Sequence, residues 1–213
     1  MSRNAEMDAI RTARSRQKVL ESAFVLFAGR GIESVTIPEI AKAAGMDRSS
    51  VYRFFPTKPD LAVAVSTGMW DRFNRQKLEG TDTGEKTAAE RYGLWLDSFL
   101  ELYREHKDLL RYNQFFNVYA ANEKISRERM EPFSRVIDAL EARFRDLYRQ
   151  GRRDGTLETG IPEEEMFSAT LHLMLAAVTR YAVGLIYESR DPEKELTALK
   201  EMLMRKYTKQ ENG

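Results

Sequence analysis

The 213 residues are 42% hydrophobic and 31% charged, with Lys+Arg 34 against Asp+Glu 33, enough apolar side chain for a real core. With no cysteine, a disulfide framework, a thiolate metal site and a cysteine nucleophile are excluded. No run of eighteen apolar residues is free of charge, and "MSRNAEMDAIRTARSRQ" lacks the apolar core of a signal peptide, so the expected location is the cytoplasm, with no membrane partner.

Apolar residues recur at helical spacing throughout, which predicts an all-α chain. A first helix is expected over 15–29, with Val19, Leu20, Ala23, Phe24 and Phe27 on one stripe and "GRG" at 29–31 ending it. Thr36-Ile-Pro-Glu39 reads as a capping box opening a second helix at 37, which Gly45 stops after Ile40, Ala41 and Ala44. Asp47 is then an N-cap for a helix over 48–55, and Thr57 for another carrying Pro59 and Asp60 in its first turn.

Two short helices around a glycine turn form a helix-turn-helix. Val51, Phe54 and Phe55 share the inward side of the second, leaving Arg48, Ser49, Tyr52 and Arg53 outward. Such side chains suit a DNA groove, because arginine reads guanine edges or holds phosphate and hydroxyls hold phosphates. Residues 11–58 also carry nine Lys or Arg against four acids, a net +5, which leaves about −4 for the rest of a +1 chain.

Residues 16–65 resemble the tetracycline-repressor-like (TetR) transcriptional regulators, through "AFVLFAGRGIESVT", "IPEIAKAAGM" and "SSVYRFFPTKPDL". The resemblance implies an N-terminal three-helix helix-turn-helix domain, 10–58, then a helical ligand-binding and dimerisation domain, 59–213. It implies DNA contacts at Thr36, Asp47, Arg48, Ser49, Ser50, Tyr52, Arg53 and Lys58. Val35 departs from the family, which often has a second threonine there; Arg48-Ser49-Ser50 departs from its common Lys-Gly-Thr type of run, so the operator cannot be borrowed.

Beyond 58, helices are expected over about 58–78, 85–106, 108–120, 127–153, 162–188 and 191–207, with "EGTDTGEKT" a polar linker. The stretch 166–187 is apolar nearly all round, while His172 and Arg180 argue against lipid. Ala176, Ala177 and Gly184 would admit a second copy, and in the family this helix and the last build a two-fold dimer. A ligand site is expected from aromatic groups on converging helices: Trp95, Phe99, Tyr112, Phe115, Phe116 and Tyr119, with Phe133, His172 and Tyr181. The set suits an apolar or aromatic small molecule.

No Gly-rich phosphate loop, HExxH or Glu-x-x-His occurs, so neither catalysis nor a metal or other cofactor is expected. The sequence thus reads as a DNA-binding regulator, a repressor, that binds an inverted-repeat operator as a homodimer and is released by an effector. The alternative is a helical ligand-binding or scaffold protein without DNA binding.

Overall fold

The computed structural model describes residues 3–78, 86–184 and 191–209, in which nine helices and one isolated β-bridge occur. Helix α1 spans Arg3–Arg30, twelve residues longer at its start than the apolar stripe predicts. Residues 3–14 contain no Gly or Pro to stop a helix, yet 5–14 are all exposed. Without a buried face they leave no periodic signal.

Helices α2, Ile37–Ala44, and α3, Arg48–Phe54, follow as expected. They precede α4, Lys58–Leu78; α5, Ala88–Glu105; α6, Lys107–Asn122; and α7, Arg127–Asp154. Last come α8, Glu163–Val183, and α9, Pro192–Tyr207. The expected end of the eighth helix, 185–188, and most of the linker, 79–85, lie outside the described residues.

By compactness the chain forms two units. The first holds the chain up to Met69 with Arg111–Ser134, and the second holds Trp70–Leu110 with the chain from Arg135 onward. The expected break after 58 coincides with the start of α4, whereas compactness groups the first half of α4 with the N-terminal helices.

In the first unit α1 packs on α2 and α3. Val19, Ala23, Phe27, Ile32, Ile40 and Val51 are buried there, each removing apolar area from water. Val35, the departure from the family's threonine, is fully buried as well. Tyr112 of α6 is also fully buried; its hydroxyl donates to the Ala62 carbonyl at 2.5 Å, which satisfies the polar end of an apolar ring.

In the second unit α5 packs on α8 and α9. Its start is fixed by a second capping box, Thr87 with Glu90. Trp95 anchors the core, 5.0 Å from the Phe144 ring and 5.9 Å from Phe167, with which it stacks. A buried Tyr92–Thr170 hydroxyl pair at 2.8 Å joins α5 to α8. Gly151 meets Leu157 so closely that a Cβ on it would lie 2.5 Å from the leucine.

Helix α8 is long and apolar enough to cross a bilayer by length and composition. One side, with Met166, Phe167, Thr170, Met174 and Val178, is buried against its own unit. The other side leaves Leu173 and Val183 exposed, and α9 adds Met202 at 59% exposure.

Candidate DNA interface

Thr36 caps α2 through a complete box: Glu39 N donates to its hydroxyl oxygen at 3.4 Å, and Thr36 N and Oγ1 each donate to Glu39 Oε2 at 2.8 Å. Arg30 Nη2 reaches the other carboxylate oxygen at 2.8 Å. The Thr36 amide, then its hydroxyl, then Arg30 hold the Glu39 carboxyl down at about 2, from 4.5. At the far end Gly45 takes the left-handed conformation, φ 67 and ψ 38, and Met46 N donates to the Ala41 carbonyl at 2.9 Å. The chain can therefore turn sharply into α3.

Asp47 starts α3 by accepting from Ser50 N at 2.8 Å, and it takes both neighbouring hydroxyls, Ser49 Oγ at 2.5 Å and Ser50 Oγ at 2.8 Å. Those bonds, Ser49's first, hold its carboxyl well below the usual range. Both of its oxygens are thus occupied in fixing the helix start.

On α3 and its C-cap the inward side chains are Val51 and Phe55, both buried, while Phe54 is half-buried. Arg48, Ser49 and Arg53 are exposed, and Tyr52 and Ser50 are half-buried. The Arg48 guanidinium carbon lies 5.2 Å from the Tyr52 ring centroid, and Arg48 Nη2 donates to the Tyr52 hydroxyl at 3.3 Å. Arg53 lies over Phe54, and Arg16 of α1 over Phe55 at 4.9 Å. Among the described residues neither Arg48 nor Arg53 is paired with a carboxylate. Their charge is therefore free to face an anion.

Lys58 is held differently. Its Nζ donates to the Glu33 carbonyl at 3.1 Å and lies 5.8 Å from the Tyr119 ring centroid. Burial pushes its pKa down, and it pushes that of Tyr119 up to about 12. Sequence patterning does not reveal this site, because the Glu33 partner is a backbone carbonyl. It likewise gives no sign of the Arg30–Glu39 pair.

The chain's residues 19–65 match the family model described as bacterial regulatory proteins, tetR family. The likeness to that family rests on the segment 19–65, from α1 into α4. A relative, the HTH-type transcriptional repressor KstR2 of Rhodococcus jostii, is 25% identical over 173 residues, covering 79% of this chain and 80% of that one. The regulator AcrR of Shigella flexneri is 41% identical over 61 residues, 29% of this chain and 27% of its own. Among solved structures, FadR of Bacillus subtilis in complex with stearoyl-CoA superposes with a TM-score of 0.71 at 17% identity, covering 88% and 97% of the two chains. At that identity the likeness shows the fold. The likeness over 19–65 and the repressor relative support a DNA-binding transcriptional regulator.

The aromatic residues expected to line one ligand site fall into separate clusters. Tyr112 and Phe116 stack in the first unit, with Phe133 against Phe116 at 5.7 Å. Phe115 there lies against Gly31, and Tyr119 beneath Lys58. Trp95 and Phe99 pack together in the second unit, 5.7 Å apart. Tyr181 is half-buried there, near Tyr103, with its hydroxyl bonded to Glu195, whereas His172 is exposed. Equal helical spacing does not say which face of a helix each ring occupies, so sequence could not separate the two clusters.

Proposed function

We propose that the protein is a repressor that binds an inverted-repeat operator as a homodimer, with α3 in the major groove. The observation that carries this reading is the outward face of α3, where Arg48 and Arg53 stand beside Tyr52 without carboxylate partners among the described residues. Arg48 or Arg53 reads a base edge. Tyr52, Thr36, Ser49 and Ser50 hold phosphates, and Lys58 joins them with the two ammonium donors that Glu33 leaves over. Asp47 acts as the cap that aims the helix.

The dimer is built from α8 and α9. The exposed Leu173, Val183 and Met202 support this, since a second copy would remove them from water. A partly apolar small molecule in the helical part of the chain, 59–213, releases the DNA. FadR's stearoyl-CoA and the ketosteroid regulator KstR2 of Mycobacterium tuberculosis, another solved structure of this fold, support an effector with an apolar body. The residues proposed to meet it include Trp95, Phe99 and Tyr181, with α4 as the lever to the DNA-binding helices. Such a protein works in the cytoplasm, and catalysis has no part in this reading.

Reciprocity gives the test of release, because operator DNA must weaken the effector by the factor by which effector weakens DNA. An effector that binds equally well with and without saturating operator would contradict it.

A further inference from the structure

Helices α4 and α7 enclose a half-open recess of ≈ 180 Å³ in the second unit. Buried Val136 and Leu140 of α7 lie at its lining, so part of its surface is apolar. Arg135 and Arg143 stand eight residues apart on α7, with Ala139 midway. At the i, i+4, i+8 spacing all three lie on one row, and the short alanine leaves room between the two arginines. Arg75 of α4 is the third guanidinium, bonded to Asp71. Among the lining residues Asp71 is the one carboxylate, and Arg75 and Arg135 each have partners of their own.

Arg143 is the lining guanidinium with an unsatisfied donor. Among the described residues its Nη1 is buried from water and has no hydrogen-bond partner. Taking a guanidinium donor out of water without an acceptor costs free energy that an anion's oxygen would offset. Arginine's planar donors suit carboxylate and phosphate oxygens, and the low-dielectric apolar wall strengthens such a bond.

We infer that this recess binds the anionic head group, carboxylate or phosphate, of an amphipathic small molecule whose apolar part lies on Val136 and Leu140, with Arg143 as its main ligand. This adds a charge requirement to the effector reading above. Because binding is measured without DNA, a failure of operator recognition would leave the inference standing.

The test is calorimetric titration of the full chain with decanoate, decyl phosphate and decan-1-ol, three probes of equal chain length. At least one anion is expected to bind about ten-fold or more tighter than the alcohol. The tighter of the two anions identifies the head group. Arg143→Ala should abolish the preference while leaving the alcohol's affinity and the thermal melt unchanged. Arg143→Gln, which keeps a polar but shorter, uncharged side chain, serves if the alanine variant fails to fold. Equal binding of anions and alcohol, no binding of either anion, or a preference that survives loss of Arg143 overturns the inference.

Discussion

Lys58 Nζ donates to the carbonyl of Glu33 at 3.1 Å, tying the first turn of α4 to the loop between α1 and α2. A residue that the family resemblance assigns to DNA contact is therefore engaged in joining α4 to that loop. Lys58→Ala should lower stability by about 1 kcal/mol through that bond. If two of its donors also reach phosphate, the slope of log affinity against log salt becomes shallower by roughly one unit, equally for all sequences. Urea unfolding and salt titration measure the two effects separately, and an unchanged slope would confine Lys58 to its structural role.

The Arg48–Tyr52 contact predicts a division of labour on α3. Replacing the arginine proposed to read a base, by Arg48→Ala or Arg53→Ala, should cost about 1–3 kcal/mol on the preferred duplex and relax one position of the site. Tyr52→Phe keeps the ring beneath Arg48 and should weaken all duplexes alike. A change of preferred base in the Tyr52 variant would contradict this assignment.

Glu39 gives the start of α2 a pH dependence. Its carboxyl sits at about 2 in the folded chain against 4.5 ordinarily. A depressed carboxyl contributes stability that is fully present above the unfolded value. It is lost as pH falls from about 4.5 through about 2, because the unfolded chain then binds the proton more readily. The stability difference between the native chain and Glu39→Gln, measured by urea unfolding, should therefore shrink across that window. A difference independent of pH there would show that the box depends on shape alone.

Helices α2 and α3 were legible because their ends are chemical. Thr36, Glu39, Gly45 and Asp47 each perform at a terminus what their side chain or backbone freedom predicts. The extension of α1 back to Arg3 was not legible, since an exposed segment has no stripe. The close approach of Gly151 to Leu157 is a contact between helix and loop that spacing cannot foretell. Of the residues proposed to face DNA, the exposed face of α3 followed from periodicity, but the partners of Lys58 depended on tertiary packing. The expected ligand set mixed rings of two clusters for the same reason.

Gly151→Ala tests that packing. Its new Cβ would lie 2.5 Å from a side chain that is itself fully buried, an overpacking that costs about 1–3 kcal/mol. The thermal midpoint should fall although alanine is the better helix former. Gly151→Ala combined with Leu157→Ala should recover part of the strain, and strict additivity of the two losses would argue that they do not touch.

Selection of bound duplexes from a random pool by the full-length protein tests the central claim most directly. The account predicts enrichment of inverted repeats whose half-sites are centred about one helical turn, or a multiple, apart, bound by two copies of the chain. Enriched sites with no inverted symmetry, or no enrichment over the starting pool, would contradict it.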